Sequence, residues 1–208
     1  EALIVASSFY HKGREESRLN PGEMSKRQRF GKVPFHWVRA PGYQYSQIRR
    51  VLSMAAFARN VAARHGLDDE PAPDVVVGSS PSPFGAWAGL RLARHYGVPF
   101  ILEIRDVWPD TLVELGGLSR RHPFILFLAW LERYLYRNAD AVVTVLPYAH
   151  DHIAARGGRR EAIHWIPNGI EVDSVPQTDP TARDDGTVLF QYAGAHGLYN
   201  GLETLLHA

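Results

Sequence analysis

Short apolar runs rich in β-branched residues alternate along this chain with longer segments whose apolar residues recur at helical spacing. Strand and helix in alternation, with continuously apolar strands, are typical of a parallel sheet covered by helices. The sequence therefore predicts an α/β fold with helices on both faces of the sheet. The predicted strands are Ala2–Ala6, Phe35–Val38, Asp74–Val77, Pro99–Ile104, Ala141–Val145 and Ile163–Ile166.

Helix signals separate these strands. Apolar residues at helical spacing predict a helix over about 48–65, and further helices are predicted over about 83–96, 123–138 and 148–156. Ser82 before Pro83 is typical of an N-cap and first helical position, and Gly97 of a C-cap. Trp87, Trp130 and Trp165 stand among apolar residues and are predicted to be core.

Composition narrows the classes of function. The 208 residues carry a net charge of +1, which argues against a polyanion binder, and no nucleic-acid-binding motif is present. The absence of cysteine excludes disulfides and cysteine-ligated metals and fits a reducing compartment. His150 and His152 point to different faces of a helix and no HExxH motif occurs, so no metal site is predicted.

Charge is unevenly distributed within the first 50 residues. The segment 12–50 contains ten Lys or Arg and three acidic residues. It is interpreted either as a solvated loop or as a surface for anionic headgroups or diphosphates. The longest apolar run, 124–131, is far shorter than the roughly 20 residues of a spanning helix, and no signal peptide is recognised.

A polar stretch with two prolines and four aspartates, 173–186, predicts an interdomain linker. It separates a first domain, 1–172, from the start of a second, 187–208. In the second domain the sequence predicts a strand over 187–193, a glycine-bearing turn at 194–197 and a helix from Gly201.

The densest chemistry follows the predicted strand 99–104. Glu103, Arg105, Asp106, Trp108 and Asp110 lie within eight residues at the end of that strand. Parallel sheets bind ligands at the carboxyl ends of their strands, and clustered carboxylates beside an arginine are acid/base candidates. A structural ion pair that fastens the loop is the alternative interpretation.

A second candidate is the loop 78–83, where Ser79 and Ser80 precede a helix. Its hydroxyls and the backbone N–H groups of the helix start could bind an anion. Ordinary helix capping explains the same residues. The turn 194–197 is similar but lacks both the GxGxxG and the phosphate-loop patterns.

Taken in order, these segments resemble bacterial retaining glycosyltransferases of family 4, which have the GT-B fold. The closest likeness is to O-antigen and capsule transferases, a subgroup that includes L-fucosamine transferases. The resemblance covers most of 75–208. It rests on Ser79-Ser80-Pro81, Glu103-Ile104-Arg105-Asp106-Val107-Trp108-Pro109-Asp110, Trp130-Leu131-Glu132, Tyr136-Arg137-Asn138-Ala139-Asp140, Thr144-Val145-Leu146-Pro147, Ile166-Pro167-Asn168-Gly169, Tyr192-Ala193-Gly194-Ala195-His196-Gly197 and Gly201-Leu202-Glu203-Thr204-Leu205-Leu206.

The resemblance implies two Rossmann-like domains facing a cleft, with the acceptor on the N-terminal side and a nucleotide-sugar donor on the C-terminal side. It implies sugar transfer with retention, without a metal or other cofactor, in cell-surface polysaccharide synthesis. The acceptor would be a glycan or a polyprenyl-diphosphate-linked glycan. The enzyme would be cytoplasmic, with the segment 12–50 touching the inner face of the membrane.

The resemblance also assigns roles on the acceptor side. In many relatives a histidine after this strand faces the reacting sugar. Asp106 stands there in this chain, with Arg105 beside it, and both are predicted to be catalytic. The predicted acceptor-binding residues are Ser79, Ser80, Glu103, Trp108 and Asp110.

On the donor side, Gly194, His196 and Gly197 match the loop that approaches the donor phosphates, and Asn168 is also assigned to the donor. Two departures from the family pattern are Asn200, where many members have a phosphate-binding lysine, and Glu171, where an aspartate is usual.

The family's first strand should precede Ala2, and most of its donor domain should follow Ala208. These 208 residues alone are therefore predicted to be inactive. Two alternatives remain: a nucleotide-sugar epimerase of the same fold and a non-catalytic acceptor-binding fragment.

Overall fold

A computed structural model describes residues 1–10, 15–16, 18–43, 46–80, 82–114, 116–174, 191–194 and 200–207. The strands are β1 (Ile4–Ser7), β2 (Phe9–Tyr10), β3 (Glu15–Glu16), β4 (Ser25–Phe30), β5 (Val33–Val38), β6 (Val76–Ser79), β7 (Phe100–Ile104), β8 (Ala141–Thr144) and β9 (Ile163–Trp165). The helices are α1 (Gln47–Ala62), α2 (Pro83–Tyr96), α3 (Asp110–Glu114), α4 (Pro123–Asn138), α5 (Ala149–Ala155) and α6 (Leu202–Leu206), with 3₁₀ turns at Arg160–Ala162 and Val172–Ser174.

Four parallel strands form the sheet that carries the candidate site, in the order β6-β7-β8-β9. Ser79 is paired with Glu103, and Ile104 with Thr144, so β6, β7 and β8 end at one edge. Helices α2, α4 and α5 connect or flank these strands. The predicted α/β fold, with a Rossmann-like parallel sheet and flanking helices, is confirmed.

Alternate side chains of this sheet point into the main hydrophobic core. Phe100, Leu102 and Ile104 of β7 are buried there with Val142 of β8 and Ile163 of β9. Residues of α2, α4 and α5 complete the same core. Because side chains of a strand alternate between faces, Glu103 belongs to the opposite face and is free of the core.

The first strand of this sheet departs from the prediction of burial on both faces. It spans Val76–Ser79 rather than 74–77, and the side chains of Val75 and Val77 are 42% and 56% exposed. Among the described residues β6 is hydrogen-bonded to β7 alone, at the border of its sheet. A continuous apolar run therefore did not predict burial here.

A second sheet, ordered β1-β5-β4, takes two of its strands, β4 and β5, from the basic segment 12–50. β1 and β5 are parallel, but β4 is antiparallel to β5, with Phe30 opposite Val33. The prediction of a loop between the first two strands was wrong at 25–30. The strand sequence SKRQRF has no apolar alternation, so pairing with β5, rather than its own pattern, determines its conformation.

The helix boundaries follow local capping chemistry. Ser82 accepts a hydrogen bond from the Gly85 amide at 3.3 Å, and Gly97 ends α2 in the left-handed region at φ +69°. α4 spans Pro123–Asn138 as predicted. No helix in the part of the chain that the structure describes has the length and apolar character to cross a membrane.

Two of the three predicted core tryptophans lie at the surface. Trp130 is 58% exposed on α4 and Trp165 is 51% exposed at the end of β9. Only Trp87 packs against the core clusters. Apolar sequence neighbours did not distinguish the inner from the outer face of these elements.

Close packing between β6 and α2 yields a stability prediction. A Cβ on Gly78 would lie 2.8 Å from the Phe100 ring and 3.0 Å from the Ala86 Cα. We expect Gly78→Ala to lower the free energy of unfolding by about 1–3 kcal/mol through overpacking. Urea denaturation measures it, with Gly169→Ala, which meets nothing within 4 Å, as control. Equal stability of the two variants would contradict this packing.

The predicted second domain is described only in part. Residues 187–190, the start of its predicted strand, lie outside the described residues, and 191–193 are not in a strand. The predicted helix from Gly201 is α6, Leu202–Leu206. The boundaries 1–172, 173–186 and 187–208 remain predictions.

Candidate active site

The carboxyl ends of β6 and β7 bring three predicted site residues into contact. Because Ser79 is paired with Glu103, their side chains project on the same side of the sheet. The Ser79 Oγ donates to the Glu103 Oε2 at 2.5 Å, and the Arg105 Nη1 donates to the Glu103 Oε1 at 3.3 Å. Glu103 and Arg105 are both partly exposed. The result is a polar row open to a ligand with hydroxyl groups.

Ser80 is buried and fixes the start of the loop that follows β7. Its amide donates to the Glu103 carbonyl at 2.9 Å, which extends the pairing of the two strands. Its Oγ accepts from the amides of Arg105 at 2.8 Å and Asp106 at 3.3 Å. The predicted acceptor-binding residue Ser80 therefore positions the backbone of both predicted catalytic residues.

Asp106 is held by one side chain of its own loop and one of α3. Thr111 Oγ1 lies 2.8 Å from Asp106 Oδ1, and Trp108 Nε1 donates to Oδ2 at 3.2 Å. The Trp108–Pro109 peptide bond is cis. A carboxylate has about four lone-pair positions, so the Asp106 oxygens can accept a further hydrogen bond from a ligand hydroxyl. Orientation and acceptor capacity together suit a group that positions or deprotonates an alcohol.

Asp110, whose acceptor-binding role stays a prediction, forms ion pairs with two arginines. Its Oδ2 accepts from Arg156 Nη2 at 2.9 Å, and its Oδ1 accepts from Arg120 Nη1 at 3.3 Å. His152 Nδ1 lies 3.8 Å from Oδ2. Asp110 thus connects the loop after β7 to α5, which is the structural interpretation that the sequence left open for part of this cluster.

Beneath the loop lies a charged group that sequence analysis missed. Glu132 of α4 is 5% exposed. Its carboxylate accepts from Arg156 Nη1 at 2.6 Å and from the Tyr136 hydroxyl at 3.0 Å, and it lies 3.2 Å from His152 Nε2. Arg156 therefore bridges Glu132 and Asp110. We use the name α4–α5 ion network for Glu132, Arg156, Asp110, His152 and Tyr136. The sequence signal was available: Glu132 is the only acid among the apolar inner positions of α4.

Burial and charge act in opposite directions on this network. Burial opposes the charged form of Arg156, but the carboxylates of Glu132 and Asp110 outweigh it and raise the pKa of the guanidinium. Burial, and then the Glu132 charge, raises the pKa of the Tyr136 hydroxyl well above its ordinary value. Arg156 is therefore a fixed cation and Tyr136 a fixed hydrogen-bond donor over the physiological pH range.

A small cavity of about 20 Å³ separates the network from the candidate site. It is lined by apolar core residues and by Ser80, Asp106, Trp108, Glu132 and Tyr136. That volume has room for about one water molecule. The inner side of the Asp106 loop therefore faces polar groups of α4 rather than a wholly apolar core.

The predicted donor-binding residues are less well described. His196 and Gly197 lie outside the described residues. Gly194 is exposed, and Asn168 is exposed shortly after β9. β9 is parallel to β8, which places Asn168 at the same edge of the sheet as Asp106. The donor roles of all four residues stay predictions.

Comparison with known proteins is consistent with this arrangement. Residues 9–169 match the sequence model of a family described as "Glycosyl transferase 4-like domain". One similar protein is the putative colanic acid biosynthesis glycosyl transferase WcaI of Escherichia coli (strain K12). It is 25% identical over 176 residues, which are 79% of this chain and 43% of that relative. The match thus spans less than half the length of the relative.

Proposed function

The chain belongs to the glycosyl transferase 4-like family, and from that premise we propose that it forms the acceptor side of a retaining glycosyltransferase. The donor is a nucleotide sugar, and the acceptor is a glycan or a polyprenyl-diphosphate-linked glycan. The main support for this proposal is the position and orientation of Asp106. It stands at the carboxyl end of β7, oriented by Thr111 and Trp108, next to the exposed row of Ser79, Glu103 and Arg105.

Asp106 positions the attacking hydroxyl of the acceptor in this proposal. Ser79 and Glu103 bind neighbouring hydroxyls, and Trp108 forms the wall against which the sugar ring packs. Asp110 contributes by holding the loop through its ion pairs with Arg156 and Arg120. Ser80 likewise acts through the backbone amides that it fixes.

The leaving diphosphate is stabilised without a metal in this scheme. Helix N-termini and basic side chains, Arg105 among them, supply preorganised positive charge. This charge stabilises the negative charge that develops on the leaving diphosphate. His196, Gly194, Gly197 and Asn168 are proposed to face the donor. Donor identity belongs to the C-terminal side, so nothing in the acceptor-side geometry selects the nucleotide base.

Cell-surface polysaccharide synthesis in a bacterial cytoplasm is the proposed setting. The WcaI relative is named as a putative glycosyl transferase of colanic acid biosynthesis. The motifs of this chain resemble O-antigen and capsule transferases, including the L-fucosamine transferases. A lipid-linked acceptor would be presented at the inner face of the membrane.

The test is a transfer assay with the full-length protein. Nucleotide sugars are offered with and without polyprenyl-diphosphate-linked acceptors, in buffer containing EDTA, and products are identified by mass spectrometry and NMR. We expect acceptor-dependent transfer with the anomeric configuration of the donor retained. Conversion of the donor without acceptor would instead indicate an epimerase, and inverted product would refute retention.

A further inference from the structure

An exposed apolar stripe runs along α4, on the side opposite to the core. Leu126, Phe127 and Trp130 are 57%, 42% and 58% exposed. At 100° per residue they fall, with Arg133, Tyr134 and Arg137, within an arc of about 120°. Three large apolar side chains on one exposed arc exceed the scattered exposure that ordinary surfaces show.

The aromatic members of this stripe form a continuous ladder. Phe127 and Trp130 are stacked with centroids 5.9 Å apart, and Trp130 and Tyr134 are stacked at 5.7 Å. The ring of Phe84 in α2 lies next to that of Phe127, with centroids 6.1 Å apart. Arg94 of α2 donates to the Tyr134 hydroxyl at 2.8 Å and lies over its ring. The ladder therefore spans the seam between α2 and α4, which we call the α2–α4 seam.

Charge on the seam has a single sign. Arg91, Arg94, Arg133 and Arg137 are exposed on α2 and α4, and Glu132, the one acid in the two helices, points into the core. Within the described part of the chain none of the four arginines forms an ion pair with a carboxylate, and the partners of Arg94 are the neutral Tyr134 and Asn138. The seam thus combines a Trp/Tyr/Phe surface with uncompensated cations.

The composition of the segment 12–50 suggested membrane contact, but some of its arginines do form ion pairs with carboxylates. Arg27 is paired with Glu70 at 2.9 Å and Arg29 with Glu1 at 3.0 Å. Arg39 is hydrogen-bonded to backbone carbonyls. Two of the described cations of this segment, Arg27 and Arg29, thus have carboxylate partners, while Lys26 and Lys32 are exposed at the β4–β5 hairpin.

The geometry points to the α2–α4 seam as a docking surface for an anionic lipid membrane. Aromatic residues prefer the headgroup level of a bilayer, and arginines are attracted by anionic lipids. α2 starts at the carboxyl end of β6, and α4 follows the loop after β7, so Phe84 and Phe127 lie in the turns nearest the candidate site. A membrane on the seam would bring lipid-borne groups to the edge that carries Asp106.

Vesicle flotation of the full-length protein tests this assignment. The vesicles contain phosphatidylcholine with or without phosphatidylglycerol. We expect binding only when phosphatidylglycerol is present and weaker binding at high salt. Phe127→Ser with Trp130→Ser, and separately Arg133→Glu with Arg137→Glu, are each expected to weaken binding at least about tenfold, because they remove the apolar or the electrostatic component.

Two matched variants serve as controls. Ile48→Ser with Leu52→Ser removes exposed apolar surface from α1, and Lys26→Glu with Lys32→Glu reverses exposed charge on the hairpin. Both are expected to bind like the wild type, and circular dichroism verifies that all variants fold. Wild-type binding by both seam variants would overturn the assignment. So would loss of binding in the hairpin variant alone, or seam variants that only dissociate a dimer in sedimentation experiments.

Discussion

Replacing Asp106 with Ala in the full-length protein is expected to lower kcat for sugar transfer by about 100- to 10,000-fold, the range associated with a positioned acid/base group. The fold should be unaffected, because the lost partners are the hydroxyl of Thr111 in α3 and the indole N–H of Trp108 in the preceding loop, both partly exposed. The measurement is the steady-state rate with saturating donor and acceptor, together with thermal unfolding of the same preparation.

Two further variants separate charge from geometry. Asp106→Asn keeps the shape and one acceptor oxygen but removes the charge, so it should lose most of the activity if the carboxylate accepts a proton. Asp151→Ala removes a carboxylate paired with Arg160 that is 85% exposed on α5 and should leave transfer unchanged. Turnover of Asp106→Ala within a few-fold of wild type would remove Asp106 from the mechanism.

The largest expected loss of stability comes from the α4–α5 ion network. Glu132→Ala would leave Arg156, held in place by Asp110, and His152 without their buried carboxylate. Removing one partner of a buried ion pair costs about 3–5 kcal/mol when the remaining charge is uncompensated; we expect about 3 kcal/mol here, because Arg156 keeps its ion pair with Asp110. Urea unfolding at neutral pH measures the loss. Glu114→Ala is the control, because its ion pair with Arg120 is solvent-exposed at 3.6 Å and surface pairs contribute about 0–1 kcal/mol.

A double-mutant cycle identifies the cause of that loss. If the loss of stability in Glu132→Ala arises because the Arg156 guanidinium has lost a buried carboxylate partner, Glu132→Ala with Arg156→Ala should cost less than the sum of the two single variants. Additive costs would show instead that packing around Glu132, rather than charge, is responsible.

Local sequence signals predicted the main sheet and its helices well. The bounds of α4, the cap at Ser82 and the stop at Gly97 are encoded by Pro123, by a serine before a proline and by a glycine with positive φ. Such signals act over three or four residues and need no tertiary context. The clustering of polar residues after β7 predicted a site at the carboxyl edge of the sheet, and the structure brings Ser79, Glu103 and Arg105 together at that edge.

Features that depend on distant partners were not predictable in this way. β4 has a polar sequence and is a strand because β5 pairs with it. Asp110 and Glu132 are joined by Arg156, which comes from another helix. Trp130 stands in an apolar run, yet its position on the helix turns it outward. In each case the three-dimensional neighbour, not the local pattern, determines the role.

The side chains of β7 alternate between the core and the candidate site, and this alternation has a consequence for how such proteins diversify. Leu102 and Ile104 face the core, while Glu103, between them, faces the polar row with Ser79. If Glu103 binds the acceptor as proposed, substitutions there would alter acceptor recognition without creating a cavity among the helices. An ancestral chain with this arrangement could exchange one sugar acceptor for another through a few such changes, keeping its folding stability throughout.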